Sequence, residues 1–116
     1  MNHDIKRMLE LAAKAAEFEV VGDQHPNDGL NVQIEGQIFV WRPAHDDGDT
    51  LRLQVNLGLL VDVDWDSRTA TAVVPDRAEM ARNIVHIVNI PEGSDGMSET
   101  RQAVLMAAAA IGEAMP

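Results

Sequence analysis

From Asn2 to about Phe18 the apolar residues Ile5, Met8, Leu9, Ala12, Ala15 and Ala16 return at steps of three and four. That spacing lines one face of an α-helix, and Asn2 or Asp4 can cap its first turn. Val20 to Gly29, VVGDQHPNDG, collects the turn-forming residues Gly, Asp, Pro and Asn and predicts a loop. Leu30, Val32 and Ile34 then alternate with polar Asn31, Gln33 and Glu35, and Ile38 and Val40 follow beside Phe39 and Trp41. Period two on both sides of Glu35-Gly36 predicts two strands joined by a tight turn. Pro43 ends the second strand, because it has no N–H to give to a sheet.

The run Leu51, Leu53, Val55, Leu57 and Leu59 alternates strictly, as a strand would. Asp46, Asp47 and Asp49 immediately before it are helix-start residues, able to accept orphan N–H groups and to favour the positive end of a helix dipole. A helix is therefore predicted, apolar on two faces and covered on both, with Gly58 as its C-terminal stop. Val61, Val63 and Trp65 alternate with Asp62 and Asp64, and Asp66-Ser67-Arg68 turns the chain into Thr69 to Val74, a hairpin with one wet face. A further strand runs over Ile84 to Val88. After the loop NIPEGSDG, Ser98 or Thr100 caps a terminal helix with Ala103, Val104, Ala107, Ala108 and Ile111 on one side and Gly112 at its end. The predicted fold class is α+β: one domain over 1–116, a mostly antiparallel sheet of four to five strands covered by three helices.

Composition narrows what such a domain does. With 116 residues, 46% of them hydrophobic, the chain fits one core that buries roughly two-thirds of its unfolded surface. Cysteine is absent, which excludes disulfides, thiolate ligands and cysteine nucleophiles. Charges interrupt every apolar run near the N-terminus, so neither a signal peptide nor a membrane span is expected, and a cytoplasmic location is. Nineteen acidic against nine basic side chains give a net charge of −10. Phosphate backbones would be repelled, and direct nucleic-acid binding is not expected.

Two clusters carry residue types suited to metal binding. His45 with Asp46, Asp47 and Asp49 has imidazole and carboxylates, but in an unspecific spacing that a helix start explains better. Asp62, Asp64 and Asp66 resemble the opening of a calcium loop, yet Ser67 stands where its tight turn needs Gly and Val73 where it needs a bidentate Glu. Both are read as solvent-facing acidic residues, and together they form the candidate interaction surface. His86, inside an apolar strand, is expected to be a hydrogen-bonded structural histidine. Ser67, Ser94 and Ser98 lie in no nucleophile elbow, and no Gly-rich phosphate loop precedes a helix. No catalytic residue, metal or cofactor is assigned. Trp41 and Trp65 are the main aromatic anchors, each expected in the core.

Three stretches carry a resemblance: WRPAHDDGDTLRL at 41–53, the hairpin containing VDVDW, and TRQAVLMAAAAIG at 100–112. Together they resemble the phage ABA-sandwich domain family, small bacteriophage and prophage proteins with no established common chemistry. Trp41, Pro43, Asp49, Leu51, Leu53, Thr100, Arg101 and Ala103 match its pattern, over about the last two-thirds of the chain, with Trp41, Pro43 and Arg101 as its structural motif. The resemblance implies a sheet sandwiched by helices and a phage genome as source.

A small acidic chain of this kind is expected to act by binding. The leading expectation is a phage accessory protein in the host cytoplasm that engages a basic host protein, in the manner of an anti-CRISPR inhibitor of a defence system. The alternatives are a nucleotide-binding protein, for which Arg42, Arg52, Arg68, Arg77, Arg82 and Arg101 are the available donors, and a self-associating scaffold.

Overall fold

A computed structural model describes residues 3–22, 28–75 and 84–116, with side chains from residue 5 onward. The first amphipathic stripe forms α1 (His3–Ala16), burying Leu9, Ala12, Ala13, Ala15 and Ala16. Asp4 lies inside this helix rather than capping it, and Asn2 is outside the described residues. Glu17 turns left-handed (φ 62°), and the chain enters a two-residue strand that the predicted loop hid, β1 (Glu19–Val20). Residues 23–27 of that loop lie outside the described residues. The next two strands match their alternation: β2 (Leu30–Ile34) and β3 (Gln37–Trp41). Between them Glu35 and Gly36 both have positive φ (51° and 82°), as a two-residue type I′ turn requires.

The alternating leucine run is helical, α2 (Asp47–Leu57). Asp46 caps it, its Oδ2 accepting the Asp49 N–H at 2.8 Å, and Gly58 closes it in the left-handed region (φ 66°). Only one face is covered, against expectation: Thr50, Leu53 and Leu57 are buried, whereas Leu51 is 58% and Val55 73% exposed. Strands β4 (Leu60–Asp64), β5 (Thr69–Val74) and β6 (Ile84–Asn89) follow.

The last helix, α3 (Met97–Ala114), differs from expectation at both ends. Its cap is Gly96, not Ser98 or Thr100. The N–H groups of Gly96 and Met97 go to Ser94 Oγ and Asp95 Oδ1, and Ser94 Oγ donates to Glu99 at 2.5 Å. Gly112 does not end the helix but lies within it. A Cβ there would run into the Leu11 carbonyl of α1, so the missing side chain sets how closely the two helices cross.

The strands of the described residues form two three-stranded antiparallel sheets, β1-β2-β3 and β4-β5-β6, six strands where one sheet of four to five was expected. The physical reason is α2: it follows β3 and lifts the chain out of the first sheet, so the second hairpin starts a new one. Helix α3 packs on α1, α2, β5 and β6, and most of the core surrounds it, with Val104, Leu105, Ala108 and Ile111 against Leu9, Leu53, Ala72 and Val74. Pairing of Thr71 with both Asp62 and Ile87, and of Val73 with both Leu60 and Val85, puts these side chains together on the face of the second sheet turned away from the core. Among the described residues no helix is long and apolar enough to cross a membrane.

Candidate interaction surface

The start of α2 is a closed polar clasp. Buried Trp41 meets Phe18 edge-on, with ring centroids 5.5 Å apart, and fully buried Pro43 follows. The Pro43 carbonyl accepts from the Thr50 hydroxyl at 2.7 Å. One oxygen of Asp49 accepts the Arg42 N–H at 2.9 Å, and the other accepts from the Arg52 guanidinium at 2.8 Å. That bond, together with the charges of Asp49 and Asp46, holds the Arg52 pKa above its ordinary value against the opposing effect of desolvation. Arg101 reaches across from α3, donating to the Ala44 carbonyl at 3.1 Å and to Asp47 at 2.6 Å. Trp41, Pro43 and Arg101 thus fasten the β3-to-α2 turn to the body of the molecule.

Each member of the His45, Asp46, Asp47 and Asp49 cluster has a neighbour within the chain. Asp46 is a helix cap, Asp47 pairs with Arg101, Asp49 is bound from two sides, and His45 stands 3.7 Å from Asp28. Among the described residues no group of His, Asp and Glu could hold a metal ion.

Asp62, Asp64 and Asp66 are placed together on the β4–β5 hairpin and all are exposed. One oxygen of the Asp64 carboxylate accepts the N–H groups of Asp66 and Ser67 at 2.9 and 3.3 Å, so it shapes the turn. Trp65, expected in the core, projects from this turn and is 51% exposed. One side of its ring rests near Gly96, and the Arg68 guanidinium sits 5.5 Å from the ring centroid. Arg68 also donates to the carbonyls of Ile90 and Pro91 at 3.2 and 2.8 Å, which ties the hairpin to the loop before α3. The clue to the exposure was local: Trp65 lies between two aspartates inside a turn signal.

Two further features were not visible in the sequence. An open groove of about 730 Å³ runs beside β3, lined by Phe18, Val32, Ile34 and Phe39 and bordered by Arg42 and Arg52. His86 was expected to be hydrogen-bonded; its Nε2 is instead buried with no hydrogen-bond partner among the described residues, and desolvation pushes its pKa below the usual 6.5. It lines a hollow between α1 and α3 with Arg7, Met8 and Glu113. Of the arginines considered as nucleotide donors, Arg52, Arg68 and Arg101 are already engaged with the chain's own carboxylates and carbonyls. Arg77 and Arg82 lie outside the described residues. No family model, curated protein or solved structure matches the chain, and its surfaces have to be read from their own chemistry.

Proposed function

We propose that the protein acts by binding a basic surface of another protein, with the β4–β5 hairpin as the contact. The observation that carries this reading is Trp65, half exposed on a rigid turn and flanked in sequence by Asp62, Asp64 and Asp66. A fixed aromatic ring gives a central apolar anchor, and a surrounding set of carboxylates gives orientation and fast encounter with a cationic surface. A net charge of −10 extends the same field over the molecule. The wider proposal is a phage accessory protein, built as a helix-covered sandwich, that works in the host cytoplasm by occupying a host protein, with a defence complex of the anti-CRISPR-targeted kind as the specific target class. It rests on the sequence resemblance together with this acidic, aromatic hairpin.

The test is affinity capture from a susceptible host lysate at low and moderate salt, with the wild type, Trp65→Ala and the pair Asp62→Asn/Asp66→Asn. Asp64 is left intact because it holds the turn. One basic host complex, retained by the wild type at low salt, weakened by salt and lost with either variant, is the expected result. Equal capture by all three proteins would sink the assignment to this hairpin.

A further inference from the structure

We infer that the free edge of β3 pairs with β3 of a second copy, antiparallel about a two-fold axis through Phe39, to make a dimer with one continuous six-stranded sheet. The backbone directions follow from three observed contacts. The Val21 N–H donates to the Asn31 carbonyl at 2.8 Å, so the backbone groups of Asn31 face β1 and not β3. Its β3 neighbour Val40 therefore sits in a non-hydrogen-bonded pair, and by alternation so does Ile38, opposite Gln33. The backbone N–H and C=O groups of Ile38 and Val40 consequently point away from the sheet. The Arg42 N–H points the same way and is already donated to Asp49 at 2.9 Å.

Among the described residues β3 has β2 as its one strand neighbour, and its first four residues, Gln37 to Val40, are all exposed. Ile38, Phe39 and Val40 are 60%, 46% and 48% exposed, consecutive positions that open onto both faces of the sheet. Exposed edges usually carry a charge, a proline or a bulge that blocks further pairing. Residues 37–41, QIFVW, have none of these. The other edges differ: β1 is two residues long and carries Glu19, and β4 carries Asp62 and Asp64, which would repel their own copies. The exposed positions of β6 alternate, leaving one of its faces against the core.

A second copy, rather than a foreign strand, is favoured because the edge is self-complementary in one register. Centred on Phe39, the pairing sets Ile38 of each copy opposite Val40 of the other, so every free backbone group of both residues is used, in four hydrogen bonds. Centring on Val40 or Trp41 would call on the Arg42 N–H, which Asp49 already holds. Centring on Ile38 or Gln37 would run into the turn. In the Phe39 register Gly36 of one copy, the turn residue without a side chain, falls opposite Arg42 of the other. Glu35 then lies beside the corner where Arg52 is already paired with Asp49 and Asp46, so the register rests on the backbone groups of an uncharged strand and not on ion pairs at its ends.

Two measurements test this. Sedimentation velocity over a concentration series should show twice the mass of one chain, with the dimer held or strengthened as salt rises, since each copy carries −10; Ile38→Lys, at an exposed position, should return it to monomer with unchanged circular dichroism. The chain has no cysteine, so Phe39→Cys introduces a single thiol. Across a non-hydrogen-bonded pair the two Cα atoms are about 4.5 Å apart, inside the range for a disulfide. Phe39→Cys should cross-link on mild oxidation, whereas Gln37→Cys, four residues from its own copy and so about 13 Å away, should not. A monomer at all concentrations, a dimer that survives Ile38→Lys, or equal cross-linking at 37 and 39 would each overturn the assignment. Because salt acts on this dimer in the opposite sense to the proposed host contact, failure of one reading is distinguishable from failure of the other.

Discussion

At the residue scale the molecule depends on two positions whose importance comes from what surrounds them. Gly112 permits α1 and α3 to cross at backbone contact, and Gly112→Ala must push the Leu11 carbonyl away. Overpacking of that kind costs about 1–3 kcal/mol. Gly58→Ala, with open space around it but φ at 66°, should lose about 1–2 kcal/mol from conformation alone. Thermal or urea unfolding of the two variants separates the causes: an added helix propensity at 112 that raised stability would contradict the close crossing. His86 makes a pH prediction. Burial lowers its pKa below 6.5 in the folded protein, so as pH falls past that value the unfolded chain binds the proton first. The stability present above neutrality is therefore lost as pH drops from about 7 toward the folded pKa. Arg7 and Glu113, of opposite charge, line the same hollow. His86→Leu should flatten the unfolding free energy across that interval relative to the wild type, and an unchanged slope would show that the imidazole is solvated when folded.

At the element scale α2 shows what the chain made legible and what it concealed. Its helix start was readable because Asp46, Asp47 and Asp49 combine capping and dipole chemistry before an apolar run, and Asp46 does cap it. Its alternation was misleading because two chemically equal leucine faces have different surroundings, and only tertiary packing decides which is covered. The expected consequence is sharp. Leu53→Ala, at a fully buried position, should cost about 2–5 kcal/mol, whereas Leu51→Ser, exposed, should stay within about 0.5 kcal/mol. A strand would have placed both residues on one face and given them similar costs, so matched denaturation curves for the two variants would contradict the helical assignment. The same limit applies to Trp65 and to β1: a turn signal in sequence does not say whether its aromatic residue folds inward, and two residues are too few to carry a period. Helix α3 was legible in type and face but not at its ends, because Gly96 and Gly112 act through backbone geometry and neighbour distance, neither of which has a local pattern.

At the scale of the whole molecule, the α+β class and the antiparallel hairpins followed from local alternation, while the division into two sheets did not. Whether β3 and β4 join depends on where α2 docks, with Leu53 and Leu57 in the core and Arg101 reaching Ala44 and Asp47 across 57 and 54 positions of sequence. Charge also acts at this scale. A surplus of −10 on 116 residues opposes the compact state through self-repulsion, which salt screens over a Debye length of about 8–10 Å near physiological ionic strength. The described ion pairs act in the other direction, since salt weakens Arg52 with Asp49 and Arg101 with Asp47. Each of these pairs has at least one well-exposed side chain and is worth about 0–1 kcal/mol, little of which is left to lose. Long-range repulsion among nineteen carboxylates should therefore prevail, and the melting temperature should rise as sodium chloride is increased from low to moderate concentration. A fall over the same range would mean that the clasp at the start of α2, rather than the global field, governs the stability of the fold.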